Sequence, residues 1–306
     1  MTEPRIPNLF LIGAPKCGTT ALSHYLAGHP DIFMSEQAGS KEPNYFAPDL
    51  PFGKLCVESF AEYLALYRRA PQNARYLGDA SVRYLRSKVA VPQILEKSPN
   101  AKLIVMIRNP IEIAQALHNQ RVKRNEDAAV DFEKAWRLQD QRLSSDRDSI
   151  STFVSSCAFE YREFARIGTQ LARLYNTARR SQVLVIDYGD FARDTARVYQ
   201  RVLAFLGLEP DGRTSFPILN ARVRYRVPSV QRGLVWLRII RERLGIPGGW
   251  GVQRIADSLN ARSDTGSAAG SPLRPAFRAE LEQCFKAEVE LVSRLQGRDY
   301  SHWLRG

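Results

Sequence analysis

The chain has 306 residues, 44% hydrophobic and 25% charged, enough to bury a core without staples, which excludes disorder and a disulfide-built miniature. Its 44 Lys and Arg exceed 32 Asp and Glu, and the net charge of +12 admits three kinds of partner: nucleic acid, an anionic membrane or a polyanionic small molecule. Four scattered cysteines (Cys17, Cys56, Cys157, Cys284), a polar start and no apolar run approaching about 20 residues argue against a zinc or disulfide framework, a signal peptide and a membrane span, so a cytoplasmic chain with reduced thiols is expected.

In chain order, residues 9–13 (LFLIG) form a continuous apolar run ended by glycine, the pattern of a buried strand. After the loop 14–18 (APKCG), Leu22, Tyr25 and Leu26 recur at helical spacing until Gly28 and Pro30 stop the helix. Residues 102–107 (KLIVMI) are a second buried strand, followed by Arg108-Asn109-Pro110 and a helix with Pro110 near its start. Residues 183–187 (VLVID) are a third strand, with a helix continuing to about residue 206. Further helices are predicted over 131–145, 157–180, 229–243 and 274–297, and the small-residue stretch 260–272 reads as a surface loop. Buried strands alternating with helices predict a single α/β domain over 1–306, its parallel sheet covered on both faces. Ligands of such sheets bind beyond the strands' carboxyl ends, where the loops 14–18 and 108–110 both fall.

The segment Gly13-Ala-Pro-Lys-Cys-Gly-Thr-Thr20 between strand and helix is an anion cradle: glycines and a helix N-terminus present backbone N–H groups, and the helix dipole adds positive charge. It departs from the triphosphate-binding loop GxxxxGK[ST], because Thr19 stands where that loop has lysine and the cation is Lys16, inside the loop. A P-loop NTPase or small-molecule kinase is thus the alternative reading, with Asp187 at the end of VLVID as its candidate metal carboxylate. A basic nucleic-acid-binding protein is a further alternative, but no reading module surrounds the arginines.

Pro15-Lys16-Cys17-Gly18-Thr19-Thr20 resembles the phosphosulfate loop of the sulfotransferases that use 3′-phosphoadenosine 5′-phosphosulfate (PAPS), in the bacterial and Golgi-type branch. Five further places carry the likeness: Lys41-Glu42-Pro43-Asn44-Tyr45-Phe46 (KEPxFF), Gly78-Asp79-Ala80-Ser81 with Tyr84 (GEASPxYL), Arg108-Asn109-Pro110 after its strand, Asp187-Tyr188-Gly189-Asp190-Phe191 through Phe205-Leu206-Gly207 (RYEDL…FLGL), and Gly297-Arg298-Asp299-Tyr300-Ser301-His302-Trp303 (GRDLSHW). The resemblance implies a P-loop-like three-layer fold, a central parallel sheet flanked by helices, and in-line sulfuryl transfer from PAPS to an acceptor hydroxyl, with 3′-phosphoadenosine 5′-phosphate (PAP) as product and no metal.

By the same resemblance, Lys16 contacts the bridging and sulfuryl oxygens, and Cys17, Gly18, Thr19 and Thr20 complete the donor cradle, Cys17 as a small side chain and not a nucleophile. Arg108 takes the 3′-phosphate, for which a planar fork suits. Tyr188 falls where the family has a donor-contacting tyrosine. The family's second 3′-phosphate donor, a serine eight residues after that arginine, is here Ala116, with Gln115 as the substitute at hand. Glu42 matches the general base, Lys41 helps hold the sulfuryl group, and His118 on the helix after Arg108 is the rival base; His24, His29 and His302 are not favoured. The acceptor is a small molecule, lipid or carbohydrate bearing a hydroxyl, and nothing in the sequence specifies an oligomeric state. The Arg-rich residues 221–245, with Leu234, Leu237, Ile240 and Leu244 at helical spacing, read first as a surface helix facing the core and second as a basic amphipathic helix at the acceptor entrance or an anionic membrane.

Overall fold

The computed structural model describes residues 5–50, 57–123, 127, 129–144, 160–217, 222–225, 261–264 and 273–305. Five parallel strands form the central sheet in the order β2-β3-β1-β4-β5, where β1 is Leu9–Gly13, β2 Ile32–Met34, β3 Tyr76–Asp79, β4 Lys102–Ile107 and β5 Val183–Asp187. The three apolar runs legible in the sequence are β1, β4 and β5, and β1 is fully buried in the middle. Its register sets Leu9 beside Gly78 and Lys102, and Phe10 beside Asp79 and Leu103. All five strands run the same way, so the loops after Gly13, Met34, Asp79, Ile107 and Asp187 gather along one edge.

Helices flank the sheet, in the P-loop-like three-layer arrangement expected. They are α1 (Thr19–Ala27), α2 (Phe60–Ala65), α3 (Ala90–Lys97), α4 (Pro110–Lys123), α5 (Phe132–Ser144), α6 (Tyr161–Ala165), α7 (Ile167–Thr177), α8 (Tyr188–Arg193), α9 (Thr195–Leu206) and α10 (Pro275–Gln296). Local chemistry starts several of them: Ser59 and Glu62 form a capping box on α2, while Asp187 and Asp194 cap α8 and α9 through Asp190 N and Arg197 N. Proline opens α10 and left-handed Gly297 ends it.

The structure corrects three expectations. The helix expected to continue from β5 to about residue 206 is two, α8 and α9, parted at Asp194. The helix predicted over 157–180 is two helices broken at Arg166, whose backbone leaves the helical region at ψ 58°. The cause is tertiary: the buried Glu288 of α10 accepts from Thr169 N at 2.8 Å and Thr169 Oγ1 at 2.6 Å, capping a fresh N-terminus at α7. Residues 260–272, read as a loop, contain the strand β7 (Ala261–Asp264), paired antiparallel with β6 (Arg222–Tyr225). The helix expected over 229–243, most of the Arg-rich segment, and Cys56 and Cys157 lie outside the described residues. Among the described residues, no helix is long and apolar enough to cross a membrane.

Candidate functional site

The loop after β1 enters α1 through two residues with positive φ, Lys16 at 67° and Gly18 at 84°. Gly18 is required twice over: it takes the left-handed conformation, and a Cβ there would sit 3.2 Å from the rings of both Tyr188 and Phe191. The N–H groups of Thr19 and Thr20 at the start of α1 carry no side-chain cap, the setting in which a helix N-terminus takes an anion. Lys16 and Thr20 are exposed, whereas Cys17 and Thr19 are buried. Burial pushes the Cys17 thiol up to about 12, against the opposing pull of Arg108. That thiol stays protonated near neutrality, as expected of a packing residue.

Arg108, at the end of β4, reaches this loop directly. Its Nη1 donates to the Lys16 carbonyl at 3.1 Å, its Nε donates to Glu112 at 2.6 Å, and its guanidinium lies 4.5 Å from the centre of the Tyr188 ring. The first residues after β1, β4 and β5 are thereby tied together, and a largely buried cation is fixed beside the cradle. On α4, Gln115 is buried and Ala116 half-buried.

The C-terminal motif braces the same region. Asn109 donates from Nδ2 to the Trp303 carbonyl at 2.7 Å and accepts from Ile111 N at 2.9 Å, starting α4. Arg298 pairs with Asp190 in α8, holding that carboxyl below the ordinary carboxylate range. Tyr300 and Trp303 pack ring to ring at 4.5 Å. These contacts were invisible in the sequence beyond the motif match itself.

Across the edge, Lys41 and Glu42 form an ion pair at 3.1 Å, both partly exposed. Asn44, left-handed at φ 56°, donates from Nδ2 to the Glu42 carbonyl at 2.9 Å and fixes the turn that carries it. Beneath lies Asp79, fully buried at the end of β3, with four donors: Ser81 N at 2.9 Å, Ser81 Oγ at 2.6 Å, and the hydroxyls of Tyr63 and Tyr84 at 2.9 Å each. Burial raises its carboxyl to about 6, with the hydrogen bonds opposing. The sequence flagged this element without giving it a task.

His118 occupies a different setting. It is 1% exposed, its Nε2–H donates to the Ala129 carbonyl at 2.7 Å, and its ring packs against Phe132 and Tyr161. The other histidines serve elsewhere: His24 faces Glu36, His29 contacts the Glu209 carbonyl, and His302 stacks on Tyr300.

A family profile described as the sulfotransferase domain matches residues 7–220. A membrane-associated sulfotransferase of Dictyostelium discoideum, kil1, is 30% identical over 130 residues, 42% of this chain and 26% of that protein. The chain spans only about a quarter of the length of the curated relatives it matches. Among solved structures, a sulfotransferase from Alicyclobacillus acidocaldarius shares the fold with a TM-score of 0.72 at 24% identity, covering 98% of this chain and all (100%) of that one. A mouse sulfotransferase complexed with PAP gives a TM-score of 0.52 at 15% identity, over 97% of this chain and 89% of that one.

Proposed function

Because the chain belongs to the sulfotransferase domain family, we propose that it moves a sulfuryl group from PAPS to an acceptor hydroxyl in one in-line step. The observation that carries this reading is the bond from Arg108 to the Lys16 carbonyl, which sets a fixed guanidinium beside an uncapped helix N-terminus. A donor with a phosphosulfate at its 5′ end and a phosphate at its 3′ position needs two such positive sites close together. The cradle fits that demand: its amides carry no side-chain cap, and at Gly18 a Cβ would crowd two rings.

Each residue then has a task. The amides of residues 17–20 and the hydroxyls of Thr19 and Thr20 hold the 5′ end, and Lys16 neutralises charge developing on the departing 5′-phosphate. Arg108 binds the 3′-phosphate, with Tyr188 stacked against its guanidinium to fix the plane. Glu42 accepts the acceptor's proton as the new O–S bond forms and the donor's bridging S–O bond breaks, releasing PAP. Lys41, paired with Glu42, helps hold the sulfuryl group in this reading. Glu42 is preferred to His118 because the latter is buried and its Nε2–H is committed to Ala129. The acceptor class is a hydroxyl-bearing small molecule, lipid or carbohydrate.

The test uses radiolabelled PAPS with a panel of phenols, disaccharides and glycolipids, and PAP titrations by calorimetry. Lys16→Ala is expected to abolish transfer to any acceptor the wild type sulfates. Glu42→Gln is expected to lower kcat by about 100-fold or more, the usual range for a lost general base, with PAP affinity unchanged. Near-normal turnover in both variants overturns the assignment.

A further inference from the structure

The loop that carries Lys41 and Glu42 is tied down at its carbonyls, where Ser35 Oγ donates to Lys41 at 3.3 Å and Val57 N donates to Pro43 at 2.9 Å, and at two backbone amides that both lead to one carboxylate. Asn44 N donates to Ser81 Oγ at 3.0 Å, and that hydroxyl donates to Asp79 Oδ1 at 2.6 Å. Phe46 N donates to the Tyr84 hydroxyl at 3.3 Å, which donates to Asp79 Oδ2 at 2.9 Å. The relays are parallel, one per carboxylate oxygen, and they start two residues apart on either side of Tyr45. We propose that Asp79 is the positioning residue for the Glu42 loop, acting through Ser81 and Tyr84 on the amides of Asn44 and Phe46.

Three features of the site favour positioning over simple packing. First, Asp79 ends β3, the strand beside β1, so the relay takes its origin from the same rigid sheet that sets the Lys16 loop. Second, the relay directs both hydroxyls: each must accept from an amide and donate to Asp79, which leaves neither free to rotate. Third, an aromatic collar excludes water around it. Tyr63 donates to Asp79 Oδ2, stacks on Tyr45 at 5.1 Å and meets Phe46 edge-on at 5.2 Å. Glu42 itself is partly exposed and, among the described residues, its side-chain contact is the Lys41 pair, so the placement of its carboxylate depends on the loop backbone. Asn44 closes the link by holding the Glu42 carbonyl at 2.9 Å. Four donors converging on Asp79 match an ionised carboxylate, which accepts only.

This inference rests on Glu42 being the general base, and its test separates the two. Amide exchange in the full-length protein reads the relay without any acceptor. Ser81→Ala is expected to speed exchange at Asn44, Tyr84→Phe at Phe46, and Asp79→Asn at both, with amides of β1 unchanged; unaltered exchange at both amides refutes the relay. Turnover with radiolabelled PAPS and an acceptor from the panel reads the consequence. Ser81→Ala and Tyr84→Phe, milder than the change at Asp79, should lower kcat by about 10- to 100-fold at unchanged PAP affinity, as misplacement of a reacting group by about 1 Å does. Combined with Glu42→Gln, they should cost almost nothing more, because the group they position is gone. The same loss in both backgrounds makes the role purely structural and overturns the proposal. Full activity in Glu42→Gln alone refutes the base assignment instead.

Discussion

Replacing Arg108 by alanine separates its two tasks, because only one involves the donor's 3′ end. Within the protein the change removes a charged donor from the Lys16 carbonyl and a cation from the face of Tyr188. A charge-assisted bond contributes about 1.5–3 kcal/mol and the ring contact about 1 kcal/mol, so the fold should lose roughly 3 kcal/mol. Glu112, partly exposed, recovers solvation, so the lost ion pair adds little. Toward PAP, a fork-to-phosphate contact of about 3 kcal/mol predicts a roughly 100-fold weaker Kd. Calorimetry should compare PAP with adenosine 5′-phosphosulfate, which carries the donor's 5′-phosphosulfate and lacks the 3′-phosphate. PAP should lose the 100-fold and adenosine 5′-phosphosulfate less than about 5-fold, the residue of a loosened Lys16 loop. Equal losses for the two ligands would refute the 3′-phosphate assignment and leave Arg108 as a brace for the loop.

Two further outcomes follow from the buried titratable groups. Cys17, with its thiol pushed up to about 12, should resist iodoacetamide at pH 8 in the native protein, and Cys284, exposed, should be labelled before it by peptide mapping; faster labelling of Cys17 would contradict its packing role. Asp79 titrates near 6 in the fold against 3.8 for an ordinary carboxyl, so between those values the native chain holds a proton that the unfolded chain has lost. Its contribution to stability therefore falls as pH rises through that window, by up to ~1.4 kcal/mol per pH unit, and is flat above about 6. The groups facing it, the phenols of Tyr63, Tyr67 and Tyr84, are all pushed well above their ordinary range and do not ionise there. Urea melts from pH 4 to 6.5 should show this slope in the wild type and its loss in Asp79→Asn; parallel curves would refute it.

What the sequence disclosed followed from burial and local chemistry. β1, β4 and β5 were legible because strands buried on both faces are unbroken apolar runs. β2 and β3 are three and four residues long, and β3 ends in Gly-Asp, so neither carries a pattern longer than its neighbours' noise. The break at Arg166 was illegible for a different reason, since the carboxylate that caps α7 comes from Glu288, 119 residues away in sequence. The strand Ala261–Asp264 has a sequence of small and charged residues, and only its pairing with Arg222–Tyr225 defines it.

At the site, the cradle was readable because Gly13, packed against Leu85, and left-handed Gly18 both stand where a side chain has no room, which a spacing records. The rest depended on distance. His118 reads as a polar helix residue, and only packing reveals it enclosed by Phe132 and Tyr161. The Asn109 to Trp303 bond spans 194 positions, and the hub at Asp79 adds Tyr63 of α2 to its chain neighbours Ser81 and Tyr84. Much of the +12 charge lies in the Arg-rich residues beyond Arg222, while Lys16 and Arg108 are the two cations with assigned work at the cradle.

The donor's identity is tested most directly by thermal shift of the purified chain with PAP set against ATP and Mg²⁺. At 100 times its Kd a ligand stabilises the fold by about 2.7 kcal/mol, which for a chain of this size raises Tm by roughly 5 °C. PAP should give that shift without added metal, and ATP with Mg²⁺ should give little. A shift with ATP and Mg²⁺ and none with PAP would contradict the account and return the cradle to nucleoside triphosphates.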